Sequence, residues 1–352
     1  MQELILLKEQ IPKFYNELAK NYTIYAPTKE KGNIIFKKIV NVEDIVLDYL
    51  NSKVPPKELL FPKTDILFEY KINGKEIEIE DIKNLDEKRI IFGIRPCDAY
   101  SFFLLENFFS QGEVKDEIIL KRRENTTLIG IACNTPKTTC FCTSVGGHPF
   151  KKENFDILLV DLDNKYIVEG INNKGKKLIK KFSWLTSATD ADIKAAQELA
   201  ILAEQSISTK LNLEDIDKVL DPNFNHPIWK EISESCIGCG TCSFLCPTCT
   251  CFDVIDEKIP NENRGRRVRI WDTCQFCLYS LHTSGHNPRD STIERCRNRI
   301  LHKFCYYPEN YNLLGCVGCG RCIQLCPVNN DLRKIIEKIS NIEKIESEKI
   351  NA

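Results

Sequence analysis

The 352-residue sequence lacks the features that mark several large protein classes. No stretch approaches the roughly 18 consecutive apolar residues of a membrane-spanning helix. Basic residues number 49 against 50 acidic residues, so the net charge of −1 gives no electrostatic reason to expect nucleic acid or an anionic membrane as a partner. The N-terminal stretch from Met1 to Tyr22 carries charges throughout and has no apolar core of the kind found in secretory signal peptides. We therefore expect a cytoplasmic protein without a membrane span.

Motifs of direct catalysis are also missing. The sequence has no G-x-G-x-x-G dinucleotide-binding fingerprint and no convincing Ser–His–Asp or paired-carboxylate arrangement. No catalytic residue is therefore predicted, and we expect any substrate chemistry to lie on partner subunits.

Cysteine, in contrast, is abundant, with 18 residues that are unevenly distributed. Four lie before residue 143, and fourteen lie from Cys236 onward. Without a secretory signal, this density favours metal ligation in a reducing compartment over disulfide bonding.

Two cysteine runs carry the strongest signal. They are Cys236-Ile-Gly-Cys239-Gly-Thr-Cys242-Ser-Phe-Leu-Cys246-Pro247 and Cys316-Val-Gly-Cys319-Gly-Arg-Cys322-Ile-Gln-Leu-Cys326-Pro327. Each has the C-x2-C-x2-C-x3-C-P spacing of bacterial ferredoxins, in which the fourth cysteine of a run binds the other cluster of a pair. The spacing therefore predicts two 4Fe–4S clusters, one bound by Cys236, Cys239, Cys242 and Cys326 and the other by Cys246, Cys316, Cys319 and Cys322. The alternatives are a zinc ribbon, which needs only two short cysteine knuckles, or inert thiols.

The four early cysteines form a second candidate site. Cys97 follows a predicted strand at Arg89–Ile94, and Cys133, Cys140 and Cys142 follow a predicted strand at Thr127–Ile131. Because α/β proteins assemble sites at the carboxyl ends of neighbouring strands, these four cysteines predict a third 4Fe–4S cluster. The alternatives are buried thiols or a flavin-facing loop without metal, since a C-x-C pair is awkward for one cubane.

The other six cysteines match no motif, and we interpret them as small side chains that pack around the clusters. The alternative is that they hold zinc or another cluster. They are Cys249, Cys251, Cys274, Cys277, Cys296 and Cys305. Arginines also recur at 264–269 and 289–299. We interpret them as compensating the negative charge of thiolate-bound clusters and raising the reduction potential. Nucleic-acid binding is the alternative.

The predicted fold class is α+β. Strands are predicted at Asp65–Tyr70, Lys75–Ile79, Arg89–Ile94, Thr127–Cys133, Ile157–Leu162 and Tyr166–Glu169, and helices near the N-terminus, at Val42–Leu50, at Asp190–Ser206 and after Pro327. Asn73-Gly74 and Asp163-Asn164 predict hairpin turns. We expect a mixed α/β domain at 1–190, a helical connector at 191–229, a two-cluster ferredoxin-like domain at 230–335 and a charged tail at 336–352.

Over residues 85–335 the sequence resembles a known family of iron–sulfur subunits. The residues that carry the likeness are Gly93-Ile-Arg-Pro-Cys97-Asp98-Ala, Lys121-Arg-Arg-Glu-Asn-Thr, Cys140-Phe-Cys142-Thr-Ser, His226-Pro-Ile-Trp229, Cys246-Pro-Thr-Cys249-Thr-Cys251-Phe, Arg269-Ile-Trp271-Asp-Thr-Cys274, His302-Lys303 and Cys316-Val-Gly-Cys319-Gly-Arg-Cys322. The family is typified by the β subunit of cytosolic sulfhydrogenases and by the iron–sulfur subunit of anaerobic sulfite reductase.

This resemblance implies a soluble electron-transfer subunit of a hetero-oligomeric complex in an anaerobe. Such a subunit relays electrons between a flavoprotein NAD(P)H subunit and a catalytic subunit, which is a nickel–iron hydrogenase and sulfur reductase in one branch and a sulfite reductase in the other. The extra cysteine in 271–289, together with Cys296 and Cys305, departs from both branches and leaves the branch open, although Arg-Pro-Cys97-Asp leans toward the sulfhydrogenases. The alternative function is a flavin-binding iron–sulfur reductase that acts directly on a small substrate.

Overall fold

The computed structural model describes residues 3–80 and 85–342, which form two compact units. Unit 1 comprises the chain up to Thr138 together with Gly147–Ile207 and Val254–Ile270. Unit 2 comprises Thr139–Gly146, Ser208–Asp253 and the chain from Trp271 onward. The two units therefore interleave along the sequence, whereas the predicted domains at 1–190, 191–229 and 230–335 are linear stretches.

The described residues form short strands and helices. The strands are β1 (Leu4–Leu7), β2 (Thr23–Glu30), β3 (Asn33–Lys38), β4 (Thr64–Asn73), β5 (Glu76–Glu80), β6 (Arg89–Ile94), β7 (Thr126–Ile131), β8 (Ile157–Asp161), β9 (Lys165–Gly170), β10 (Thr186–Ser187), β11 (Phe252–Lys258) and β12 (Arg264–Trp271). The α-helices are α1 (Ile11–Ala19), α2 (Pro96–Ser110), α3 (Glu117–Glu124), α4 (Asn173–Ile179), α5 (Asp190–Gln205), α6 (Ile216–Leu220), α7 (Ile228–Ser233), α8 (Thr241–Phe244), α9 (Thr292–Leu301), α10 (Tyr307–Tyr311), α11 (Arg321–Gln324) and α12 (Leu332–Ser340). Short 3-10 helices cover Lys8–Gln10, Val42–Asp44, Pro56–Leu59 and Cys142–Val145, and one π-helical turn covers His302–Tyr306.

An eight-stranded sheet in the order β10-β1-β9-β8-β7-β6-β2-β3 forms the centre of unit 1. Strands β2, β6, β7 and β8 are parallel, and the other pairs are antiparallel. Every residue of β6 and β7 is buried, as expected for parallel strands that are covered on both faces. Phe14 of α1 packs on this sheet, with its ring 6.2 Å from that of Phe92 and 4.6 Å from that of Phe182.

A second, four-stranded sheet in unit 1 has the order β11-β12-β4-β5. Strand β12 pairs antiparallel with β4, which precedes it by almost 200 residues. This pairing explains why Val254–Ile270 belongs to unit 1 although the sequence surrounds it with cysteine motifs. Near the start of β4 the buried carboxylate of Asp65 accepts hydrogen bonds from Arg122 at 2.8 and 2.5 Å and from Arg269 at 2.7 Å.

Unit 2 has its own apolar core between short helices. Trp229 of α7 and Phe304 of the π-helical turn are almost completely buried there, together with Leu301 and Ile336. Phe141, from the short segment Thr139–Gly146, is buried in the same core. This core supports the loops that carry the two ferredoxin-type runs.

The α+β class is confirmed, and most predicted elements of the first half have their counterparts. The predicted strands correspond to β4, β5, β6, β7, β8 and β9; the hairpin turns at Asn73-Gly74 and Asp163-Asn164 connect β4 to β5 and β8 to β9. The Asp190–Ser206 helix is α5, and Thr189 accepts its capping hydrogen bond from the Asp192 amide.

One predicted helix begins later than expected, and another is wrong. Leu4–Leu7, within the predicted N-terminal helix, is a strand, because it pairs with β9 and β10; the helix begins only at Ile11. Val42–Leu50 has only one 3-10 turn, and Val46 then donates its amide hydrogen bond to Pro27 of β2 rather than to its own segment. The helix expected after Pro327 is α12, and residues 343–352 of the predicted charged tail lie outside the described residues.

Candidate metal centre

The two ferredoxin-type runs fold alike. In each run a glycine-containing loop leads into a one-turn helix, α8 or α11, whose second residue is the third cysteine, Cys242 or Cys322. The glycines at 238, 240, 318 and 320 all have φ between 64° and 74°, a region that other residues enter at a steric cost. The turn at Gly318 directs its amide toward Cys316, with the nitrogen 3.4 Å from Sγ. Backbone N–H groups can therefore stabilise thiolate charge.

A cavity in unit 2 brings together three cysteines of the first run and the last cysteine of the second. Its lining includes Cys236, Cys239, Cys242 and Cys326, together with the buried Cys296. The side chain of Arg299 also reaches this cavity. The lining contains all four cysteines that the spacing predicts for one cluster.

A second, smaller cavity in unit 2 has the complementary set. It is lined by Cys246 from the first run and by Cys316, Cys319 and Cys322 from the second. Arg299 lines this cavity as well, and Lys303 lines it beside Cys246. Each predicted ligand set thus surrounds a cavity of its own, and Arg299 reaches both.

The charges around the cavities fit thiolate-bound clusters. Lys303 and Arg299 are 2% and 8% exposed, and a buried cation is costly without an anion beside it. Burial lowers the pKa of both side chains, but the negative charge of neighbouring thiolates, including Cys246 and Cys249, outweighs it and raises both pKa values. The Nη2 atom of Arg299 is buried without a hydrogen-bond partner among the described residues. Two sets of four cysteines, with a buried lysine and an arginine that has an unpaired donor beside them, suit 4Fe–4S clusters. Such clusters supply one-electron redox chemistry when bound.

The thiols of the two runs differ in exposure and in acidity. Cys246, Cys316 and Cys319 are buried, whereas Cys239 is exposed. A hydrogen bond from Cys296 lowers the pKa of Cys236 to about 6, and a hydrogen bond from Cys249 lowers that of Cys246. Burial raises the pKa of Cys316 to about 11. Metal binding would remove the proton from each.

The six cysteines outside the motifs lie mostly beside the predicted ligands. Cys249, Cys274, Cys296 and Cys305 are buried, Cys251 is half-buried and Cys277 is exposed. Cys251 donates a hydrogen bond that lowers the pKa of Cys274 to about 5. Burial agrees with the packing interpretation for four of the six, while three of them also hydrogen-bond another thiol.

The four early cysteines divide between the units. Cys97, in the first turn of α2, and Cys133, after β7, belong to unit 1, whereas Cys140 and Cys142 belong to unit 2. Burial raises the pKa of Cys133. Within unit 2 the Cys140 sulfur lies 3.8 Å from the carbonyl oxygen of Cys319. The Phe141 amide donates to the carbonyl oxygen of Gly318 at 2.9 Å, so this segment is fixed against the second run.

Unit 1 contains a cavity of about 650 Å³ near the carboxyl ends of its parallel strands. Its lining includes Arg95 after β6, Cys133 after β7, Asp161 at the end of β8 and Leu202 of α5. The guanidinium of Arg95 is held by the carbonyl oxygen of Ala132, at 2.6 Å, and by that of Tyr49. The volume is in the range of small-molecule sites.

Lys303 is a residue that the sequence does not identify as part of the site. Its Nζ donates to Cys246 Sγ at 3.3 Å, although the two residues are 57 positions apart. The π-helical turn that contains Lys303 is a rare conformation, found often at functional sites, but it has no clear sequence signature.

Over residues 3–80 and 85–342 no helix is both long enough and apolar enough to cross a bilayer. In that same part of the chain no three His, Cys, Asp or Glu side chains are arranged to hold a single metal ion.

Comparisons with known proteins agree with the cysteine spacing. The family model of the 4Fe-4S dicluster domain matches residues 235–330. The sulfhydrogenase 2 subunit beta of Pyrococcus furiosus is 29% identical to this chain over 341 residues, which cover 96% of this chain and 98% of that protein. No solved structure matches. The chain thus contains a 4Fe-4S dicluster domain at residues 235–330 and is similar over nearly its full length to a sulfhydrogenase β subunit.

Proposed function

We propose that this chain is the electron-transfer subunit of a hetero-oligomeric oxidoreductase complex and holds two 4Fe–4S clusters. The observation that carries the proposal is the pair of cysteine-lined cavities in unit 2, which share Arg299 in their linings. Electrons pass readily only between sites that lie close together, and a residue common to both linings means that the cavities are neighbours. One cluster has Cys236, Cys239, Cys242 and Cys326 as its ligands, and the other has Cys246, Cys316, Cys319 and Cys322.

The exposure of the predicted ligands indicates which cluster can exchange electrons with a partner. Cys239 is exposed, whereas Cys246, Cys316 and Cys319 are buried. A partner's redox centre can therefore approach the cluster of the first run more closely than the cluster of the second. In this arrangement the first cluster exchanges electrons with a partner, and the second lies deeper in unit 2.

The similarity to a sulfhydrogenase subunit supports partner subunits for this chain. The Pyrococcus furiosus protein is named as a subunit of a sulfhydrogenase, which supports a hetero-oligomeric complex. As the resemblance of residues 85–335 implies, we propose that a flavoprotein NAD(P)H subunit lies at one end of the relay. The catalytic subunit at the other end is a nickel–iron hydrogenase and sulfur reductase, with a sulfite reductase as the alternative. The complex is proposed to be cytoplasmic and to function in an anaerobe. A third cluster at Cys97, Cys133, Cys140 and Cys142 is part of the same proposal.

A second candidate is a flavin-binding reductase that acts directly on a small substrate. The cavity of about 650 Å³ in unit 1 favours it, because it lies where α/β folds bind ligands and has room for a small molecule. Its charged lining residues are of both signs, with Lys8 and Arg95 opposed by Asp48, Asp161, Asp163 and Glu198.

Anaerobic purification of the tagged chain, with identification of the copurifying subunits, separates the two functions. The relay predicts that NAD(P)H bleaches the iron–sulfur absorption only when a separate flavoprotein is present. The isolated chain should contain no flavin. Bound flavin in the isolated chain, with direct reduction by NAD(P)H, would favour the second candidate and contradict the first.

A further inference from the structure

Three buried cationic side chains lie on one helical face in unit 2. Arg295 and Arg299 lie in α9, and Lys303 lies in the π-helical turn that continues it. Side chains four positions apart share a helix face. Their exposures are 8%, 8% and 2%, so all three are in a medium where charge interactions are strong.

Lys303 is fixed against one predicted ligand. Its Nζ donates to Cys246 Sγ at 3.3 Å, to Thr248 Oγ1 at 2.9 Å and to the carbonyl oxygen of Gly315 at 2.8 Å. An ammonium group has three donors, and these contacts use all of them. The charge is therefore held in one position, beside a sulfur of the second cavity.

Arg299 is placed differently, because it lines both cavities. Its Nη1 lies 3.6 Å from Cys249 Sγ, and its Nη2 has no partner among the described residues. Arg295 directs its Nη1 to the carbonyl oxygens of Arg289 and Asp290, at 3.1 and 2.6 Å. The positive charge of Arg299 is thus shared between the cavities, whereas that of Lys303 adjoins only the second.

We propose that Lys303 selectively raises the reduction potential of the cluster bound by Cys246, Cys316, Cys319 and Cys322, whereas Arg299 raises the potentials of both clusters. This inference rests on the proposed function. On reduction, one electron from the donor enters a cluster, and no bond forms or breaks. The total charge of the cluster with its thiolate ligands becomes one unit more negative. A nearby cation and a hydrogen bond to a ligand sulfur both stabilise that more negative state.

The experiment is an anaerobic redox titration with dithionite as the reductant, in which electron paramagnetic resonance measures the reduction of each cluster. The full-length wild-type chain is compared with the variants Lys303→Met, Lys303→Arg and Arg299→Met. Lys338→Met is the matched control, because Lys338 is an exposed lysine of unit 2 that pairs with Glu231. A Cys319→Ser variant identifies which signal belongs to the second cavity.

The expected pattern is specific. Lys303→Met lowers the equilibrium constant for reduction of the second-cavity cluster at least tenfold, which is about 59 mV for a one-electron couple. The equilibrium constant for reduction of the other cluster changes by less than about threefold. Lys303→Arg keeps the charge and restores most of the shift. Arg299→Met lowers both constants, and Lys338→Met lowers neither. If Lys303→Met loses iron, Lys303→Gln is titrated in its place.

Equal shifts of both clusters in Lys303→Met, or no shift in either, would overturn the inference. The iron and sulfide content of the wild-type chain is measured in parallel. If the wild-type chain does not contain the two clusters, the proposed function itself is refuted. Two intact clusters with unchanged potentials in Lys303→Met refute only the role of Lys303.

Discussion

Gly318 lies so close to Cys142 that a Cβ atom on the glycine would be 2.5 Å from the Cα of the cysteine. Real Cβ atoms do not approach backbone this closely, so only glycine fits at position 318. The contact joins the short segment with Cys140 and Cys142 to the loop of the second ferredoxin-type run. A hydrogen bond from the Phe141 amide to the Gly318 carbonyl oxygen reinforces it.

Gly318→Ala should therefore destabilise the protein more than the equivalent change in the first run. Gly238→Ala is the matched control, because Gly238 has nearly the same φ, 65° against 64°, but its added Cβ would lie 3.5 Å from the nearest atom, the carbonyl oxygen of Gln275. Both variants enter a backbone region that costs about 1–2 kcal/mol for a residue with a side chain. Only Gly318→Ala adds the backbone clash. Thermal unfolding midpoints that fall equally in the two variants would show that this contact is unimportant.

Ligand replacement tests the assignment of the two runs. Cys319→Ser and Cys236→Ser should each lose the iron of one cluster, about four atoms per chain, because serine is a poor substitute for a thiolate ligand. Cys305→Ser is the control, since Cys305 is buried in the apolar core of unit 2 and lies outside both cavity linings. Iron analysis of the purified variants is the measurement. Loss of iron from the Cys305 variant as large as that from the others would argue against the assignment.

Replacement of Cys140 and Cys142 by serine tests the third cluster. If these thiols bind it together with Cys97 and Cys133, the double variant should lose about four iron atoms per chain, one cubane. The two ferredoxin-type clusters should keep their spectroscopic signals. An unchanged iron count would restrict the four early cysteines to packing.

Asp65 should be important for the stability of unit 1. Its carboxylate is 2% exposed and receives hydrogen bonds from both Arg122 and Arg269. Asp65→Asn leaves the buried guanidinium of Arg122 without its anion and leaves Arg269 with the carboxylate of Asp116. Breaking a buried ion pair in this way costs about 3–5 kcal/mol. Urea unfolding, monitored by circular dichroism, measures the loss in free energy of unfolding.

The control for that experiment is Asp256→Asn. Asp256 also pairs with an arginine of β12, Arg267, at 2.7 Å, but both side chains are exposed. Exposed ion pairs contribute little because water and salt screen them. If the urea midpoint of Asp65→Asn shifts as little as that of Asp256→Asn, the predicted role of the buried pair is contradicted.

Local sequence patterns predicted much of this structure. The strands β6 and β7 could be identified because their apolar runs are short and continuous. The cysteine spacing predicts both ligand sets, and the cysteines of each predicted set line a common cavity. The β4–β5 hairpin followed from Asn73-Gly74 between two β-rich runs. In these cases the signal lies within about ten neighbouring residues.

The features that the sequence did not reveal depend on distant partners. Leu4–Leu7 has the spacing of an amphipathic helix, but pairing with β9 makes it a strand. The partner of β12 lies about 200 residues earlier, so no local pattern assigns Val254–Ile270 to unit 1. The same holds for Lys303, whose target sulfur is 57 residues away.

Iron and acid-labile sulfide per chain, measured on anaerobically purified wild-type protein together with zinc and flavin, test the central claim most directly. Two 4Fe–4S clusters require about eight irons and eight sulfides, and a third cluster raises each number to about twelve. The account predicts at least the lower figure, with no zinc and no flavin. Zinc in place of iron would contradict it.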